Sequence, residues 1–140
     1  MSANFVLIDD SEMDLYIHQK CIERELPDSE ILTFIRAGMA LAFLDSSKPA
    51  SSHSSHWFVP NFILVDSDMP EMNGIEFLDA FAAWKDSATI GTKVFMLSYA
   101  TDPNLMASAE NHPACDGFIS KPFTPEKLRK IVLEAVPELK

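Results

Sequence analysis

Cysteine is scarce in this chain of 140 residues, and the two present, Cys21 and Cys115, show no metal-ligand spacing. They read as reduced core or surface thiols of a cytoplasmic protein, with no disulfide expected. Long apolar runs are missing too, since none approaches the roughly 20 residues that cross a bilayer. The opening Met1-Ser2-Ala3-Asn4 has neither the basic start nor the cleavage site of a secretory leader. Positive charge is in short supply: 11 basic residues face 21 acidic ones, for a formal net charge of −10. Such a balance argues against nucleic acid or an anionic membrane as partner, and suits a cation or a basic protein. No repeat or second domain is visible. With 47% apolar residues, positions 1–140 fit one domain able to bury a core unaided.

What the chain does have is four short apolar runs, each ending in a residue that can hold a metal or a phosphoryl group. Asn4-Phe5-Val6-Leu7-Ile8 leads into Asp9-Asp10, and Phe62-Ile63-Leu64-Val65 into Asp66-Ser67-Asp68. Lys93-Val94-Phe95-Met96-Leu97 leads into Ser98, and Gly117-Phe118-Ile119-Ser120 into Lys121-Pro122. Unbroken apolar stretches of this length suit strands buried on both faces, as in a parallel sheet covered by helices. The carboxyl ends of such strands share one edge, where ligands bind. Three carboxylates, a hydroxyl and an ammonium would therefore meet there from segments far apart in sequence.

Helical patterns fill the intervals. Ser11 caps a helix to about Leu26, with Leu15, Ile22 and Leu26 on one face. Glu30 to Ile35 reads as a strand nearer the sheet edge, and Ala37 to Leu44 as a second helix. A third helix is expected from Gly74 to Trp84, burying Ile75, Leu78, Phe81 and Ala82. Asp102-Pro103 opens a short fourth one with Leu105, Met106 and Ala109. Thr124 and Pro125 open the last, in which Leu128, Ile131, Val132, Ala135 and Val136 keep helical spacing. Five strands alternating with five helices imply a three-layer α/β domain with right-handed crossovers. Ser46 to His56 is Ser-rich and reads as a solvated loop; the His53 and His56 pair would suit a metal only on a helix, which is not expected there.

The acidic residues carry the chemistry. Two like charges about 4 Å apart repel by roughly 4 kcal/mol at an effective dielectric near 20. Asp9, Asp10 and Asp66 on adjacent strand ends would thus have raised pKa values unless a cation neutralised them. Hard oxygen donors, few in number and with room for water, suit Mg2+. Ser98 and Lys121 can hold the oxygens of a phosphoryl group, and a carboxylate can attack one to form an acyl phosphate. Each residue alone has a plainer explanation, Asp9-Asp10 as helix caps and Lys121 as a solvated lysine. The set does not. The Lys121-Pro122 bond is a candidate for the cis form.

In order and spacing, Asp9-Asp10, Asp66-Ser67-Asp68-Met69-Pro70-Glu71-Met72-Asn73-Gly74, Leu97-Ser98 and Gly117-Phe118-Ile119-Ser120-Lys121-Pro122-Phe123 resemble the receiver domains of two-component response regulators. The combination of an acidic pair, D-x-x-M-P-x-M-x-G and K-P-F is specific, and the likeness covers essentially the whole chain. It implies a flavodoxin-like (βα)5 doubly wound parallel sheet of order 2-1-3-4-5. It implies that Asp66 accepts a phosphoryl group from a phosphohistidine on a sensor histidine kinase or histidine phosphotransfer protein. Asp10 and Asp66 would ligate Mg2+ directly with the backbone carbonyl of Asp68, and Asp9 through water. Ser98 and Lys121 would bind phosphoryl oxygens. Phe118 matches the aromatic switch position that turns inward as Ser98 moves, altering the face of the fourth helix, fifth strand and fifth helix toward a protein target.

The resemblance implies a signalling phosphoacceptor and not an enzyme, working as a monomer or a phosphorylation-dependent dimer. The chain ends shortly after the last helix, so a stand-alone receiver is expected. Three positions depart from the common pattern. Tyr99 stands where small residues are usual, and its ring could restrict access to the acyl phosphate or form partner contacts. Asp68 occupies a position the family varies to tune phosphoryl lifetime. Asn73 replaces the usual Asp, conservatively for a turn before Gly74. Two other functions compete. Asp66-x-Asp68 also resembles the nucleophile motif of haloacid-dehalogenase-like phosphatases, but those carry it on their first strand and add acidic ligands downstream. A phosphorylation-independent docking module would not need every site position filled, as it is here.

Overall fold

The computed structural model describes residues 3–47, 58–84, 91–99 and 102–135, in which five strands and five helices alternate. They are β1 (Asn4–Ile8), α1 (Glu12–Glu25), β2 (Glu30–Phe34), α2 (Ala37–Ser47), β3 (Phe62–Asp66), α3 (Gly74–Trp84), β4 (Lys93–Ser98), α4 (Pro103–Glu110), β5 (Gly117–Ser120) and α5 (Pro125–Ala135). All pairings are parallel and the strand order is β2-β1-β3-β4-β5, the flavodoxin-like topology. The four apolar runs are β1, β3, β4 and β5. The edge strand β2 is only half-buried, which explains its weaker pattern.

Alternation along each strand sorts the core into two layers. Phe5, Leu7, Phe62, Leu64, Phe95 and Leu97 face Leu15 and Ile22 of α1 and Leu128, Ile131 and Val132 of α5. On that side Phe62 stacks between Phe5 and Phe95, with ring centroids 5.2 and 6.4 Å away. Val6, Ile8, Ile63, Val65, Val94 and Met96 face Ala37, Ala40 and Leu44 of α2, Phe77, Leu78 and Phe81 of α3, and Ala109 of α4. The sheet is thus covered on both faces, and the strand ends carrying Asp9, Asp66 and Ser98 lie along one edge.

Helix ends follow local rules. Ser11 caps α1 by accepting from the Asp14 N–H at 3.2 Å, and Asp102 caps α4 by accepting from the Asn104 N–H at 2.9 Å. Thr124 accepts from the Lys127 N–H at 3.3 Å at the start of α5. Before α3, Asn73 and Glu76 exchange backbone-to-side-chain hydrogen bonds of 2.9 and 3.0 Å, a reciprocal capping box.

Some expectations need correction. Ala82 is exposed, because the inward row of α3 is Gly74, Phe77, Leu78 and Phe81, and Ala82 falls one residue past it. Ile75, expected to be buried, is half-buried. Ser46 and Ser47 belong to α2 and not to a loop. His53, His56 and Val136 lie outside the described residues. Among the described residues, no helix is long and apolar enough to cross a membrane.

Candidate functional site

At the carboxyl edge of the sheet an open cleft of about 730 Å3 is lined by six aspartates (Asp9, Asp10, Asp14, Asp66, Asp68 and Asp102) and one lysine, Lys121. Ser67, Ser98 and Tyr99 complete much of its wall. The aspartates arrive from four separate parts of the chain. Asp9 and Asp10 follow β1, Asp14 lies in the first turn of α1, Asp66 ends β3, and Asp102 caps α4.

Lys121 is the hub. Its Nζ lies 2.7 Å from Asp9 Oδ2, 2.8 Å from Asp66 Oδ1 and 2.9 Å from Asp14 Oδ2, so all three ammonium hydrogens have a carboxylate acceptor. Burial works against that ammonium, but the hydrogen bonds to Asp66, Asp9 and Asp14 outweigh it and raise the Lys121 pKa. Asp66 moves upward as well: burial and repulsion from Asp9 favour its protonated form more than Lys121 and the Asp68 N–H oppose it. One cation shared by three carboxylates leaves an excess of negative charge, which raises the Lys121 pKa, whereas burial leads the rise at Asp66. The Lys121 backbone N–H donates to the Ser98 carbonyl at 2.8 Å, tying the loop after β5 to the end of β4. The Lys121–Pro122 peptide is cis.

The loop after β3 is held from below. The Ser67 N–H donates to the Leu97 carbonyl at 3.0 Å, and the Gly74 N–H to the Ser67 carbonyl at 3.1 Å. A Cβ at Gly74 would meet Met96 Cε at 2.8 Å, and the Asp66 carbonyl and Ser67 Cα at 3.0 Å each. Glycine is required there by close approach, since its φ is not positive. Ser67 and Ser98 hydroxyls share a 2.6 Å hydrogen bond at the floor of the cleft. Asp68 is exposed, and its N–H donates to Asp66 Oδ2 at 3.3 Å. Phe118 is half-buried against the α2–α3–α4 layer.

Asp9, Asp10 and Asp66 each offer a carboxylate oxygen, and these oxygens all lie within 4.8 Å of one another. Two of the three residues are buried and one is exposed, which leaves an approach from solvent. A hard-oxygen set of this kind fits a small divalent cation such as Mg2+.

With this geometry in view, the comparison with known proteins is direct, for residues 5–133 match the response regulator receiver domain. The chain belongs to that family. The receiver is similar over nearly its whole length to a two-component response regulator from Cytophaga hutchinsonii, 25% identical, with a TM-score of 0.82 and coverage of 98% of this chain and 99% of that one. Two further neighbours, below a quarter identical, speak for the fold. Vibrio cholerae chemotaxis protein CheY4 is 24% identical, TM-score 0.74, covering 97% of this chain and 100% of its own. A CheY-like response regulator receiver domain protein from Methanospirillum hungatei JF-1 is 22% identical, TM-score 0.75, with 99% and 96% covered. No curated protein matches. Membership makes the chain a receiver domain of the two-component response regulators.

The residues singled out from the sequence, Asp9, Asp10, Asp66, Asp68, Ser98 and Lys121, all line this receiver's cleft; Phe118 lies outside its lining. Asp14 and Ser67 were not foreseen. Asp14 sits three residues after a capping serine, which gives a first-turn acid a sufficient local reason. His18, one turn further on, is also unexpected: it is buried, edge-on to Phe123 at 5.9 Å. Burial first, and then the Lys121 charge, lower its pKa.

Proposed function

We propose that Asp66 accepts a phosphoryl group from a phosphohistidine on a sensor histidine kinase or histidine phosphotransfer protein, in a Mg2+-dependent reaction. The observation that carries this reading is the placement of Lys121 Nζ 2.8 Å from Asp66 Oδ1 beside the oxygen cluster of Asp9, Asp10 and Asp66. An Asp66 oxygen forms the new P–O bond as the P–N bond of the phosphoimidazole breaks. The imidazole leaves with the bonding electrons and takes a proton from solvent. Lys121 and Ser98 donate hydrogen bonds to the phosphoryl oxygens, where preorganised donors stabilise developing charge most effectively. Bound by Asp10 and Asp66 with the Asp68 carbonyl, and by Asp9 through water, Mg2+ would neutralise the crowded carboxylates and the incoming phosphoryl charge.

The signal leaves through protein contacts. Ser98 moves toward the phosphoryl group, Phe118 follows into the space released, and the surface of α4, β5 and α5 changes for a downstream target. Beryllofluoride with Mg2+ tests the acceptor, because it mimics a phosphoryl group on a carboxylate. Fluorine NMR of the wild-type protein should show bound fluoride signals that vanish in Asp66→Asn. A wild-type protein with no bound signal would overturn the reading.

A further inference from the structure

The first turn of α1 carries a split cap. In a complete capping box the acid three residues past the capping serine reaches back to that serine's N–H. Here the Ser11 N–H is already taken by Asp9 Oδ1 at 2.9 Å. Ser11 Oγ still accepts from the Asp14 N–H, so the helix start is satisfied without the Asp14 carboxylate. That carboxylate is free to turn into the cleft. Its Oδ2 lies 2.9 Å from Lys121 Nζ with the side chain 15% exposed, so the pair is only partly screened by solvent. Its Oδ1 lies 3.4 Å from the Tyr99 hydroxyl, and the Tyr99 ring stands with its centroid 5.0 Å from Lys121 Nζ. Tyr99 is otherwise 63% exposed.

We propose that Asp14, braced by Tyr99, is a positioning residue that latches one hydrogen of the Lys121 ammonium away from the phosphoryl position and so slows phosphorylation of Asp66. The proposal rests on the phosphoacceptor reading above. An ammonium has three hydrogens, and Asp9, Asp66 and Asp14 use all three. A phosphoryl oxygen that needs Lys121 must displace one of these acceptors. Asp9 and Asp66 lie inside the oxygen cluster, and Asp14 lies outside it. The Asp14 bond is therefore the one to be released. Asp14 also adds a negative charge on the approach path of an anionic donor, without contributing to the oxygen cluster that would hold a cation. The Tyr99 ring acts on the same ammonium, and its hydroxyl acts through Asp14.

The test uses the full chain, Mg2+ and acetyl phosphate, with the rate of aspartyl phosphate formation as readout. The carboxylate of Asp66 gains the phosphoryl group and acetate leaves. Asp14→Asn should react about fivefold faster, the size expected when one partly exposed charge-assisted hydrogen bond no longer has to be released. Asp14→Glu restores the charge and should bring the rate back toward the wild-type value. Tyr99→Phe should accelerate the wild-type protein but add nothing in the Asp14→Asn background, because the hydroxyl works through that carboxylate. Without Mg2+ or donor, the 15N resonance of the Lys121 ammonium should shift in Asp14→Asn. An Asp14→Asn protein that reacts at the wild-type rate or slower, or an unmoved Lys121 resonance, overturns the latch and leaves the acceptor reading standing. A wild-type protein that is not phosphorylated at Asp66 overturns both.

Discussion

Lys121 is a single cation divided among three carboxylates, and much of the site's behaviour follows from that shortage. Asp66 receives one share of its attraction, while burial and the neighbouring Asp9 push the other way and leave its pKa raised. Between the ordinary carboxylate range and that raised pKa, the folded protein holds a proton that the unfolded chain lacks. The contribution of this group to stability therefore falls as pH rises through that window. With divalent cations chelated, Asp66→Asn should be more stable than wild type at pH 7, and the gap should shrink as the solution is acidified. Urea unfolding at several pH values checks this. A gap that widens in acid would mean that Lys121 holds Asp66 ionised. Asp9, Asp10, Asp66, Ser98 and Lys121 were legible in the sequence because they recur together at the ends of apolar strands, where the plainer explanation of each one does not account for the set. Asp14 and His18 were hidden because a first-turn acid and a polar residue within a helix both have ordinary local explanations.

Among the elements, the turn from β3 into α3 packs directly against the backbone of Asp66. Gly74 begins α3 against the backbone of Asp66 and Ser67, while Asn73 and Glu76 close the helix end above it. Gly→Ala in a helix usually stabilises by about 0.5–1 kcal/mol. Here overpacking should win, because two of the three atoms that an added methyl meets belong to the backbone and cannot rotate away. Gly74→Ala should lose about 2 kcal/mol in urea unfolding and should accept phosphoryl groups more slowly, since the Asp66 carbonyl must move. Unchanged or increased stability would contradict this account of the turn. The apolar runs and cap residues made every element readable in the chain. Details slipped where face assignment hinges on one residue. Ala82 lies about 40° of helix rotation beyond Leu78, the margin of the inward row set by Phe77, Leu78 and Phe81. The length of α2 was underread because Asp45, Ser46 and Ser47 look like loop residues, yet the helix continues through them.

On the scale of the whole molecule, the parallel sheet is what converts a scattered sequence into a site. Lys121 and Asp9 are 112 residues apart and 2.7 Å apart in space, because β5 and β1 deliver their carboxyl ends to the same edge. The alternating pattern gave the layers, but strand order came from family resemblance, since short apolar runs alone do not say which strand neighbours which. The two cores on either side of the sheet fix that edge, and the surplus of acid there makes a cation the natural occupant; under the proposed function that cation is what admits a phosphoryl group. Intact-mass spectrometry of the protein after incubation with acetyl phosphate, with and without Mg2+, tests this most directly. The account predicts one added phosphoryl group on the wild-type chain, only when Mg2+ is present, and none on Asp66→Asn. Labelling that persists in Asp66→Asn, or a wild-type chain that stays unmodified with Mg2+ and donor in excess, would contradict it.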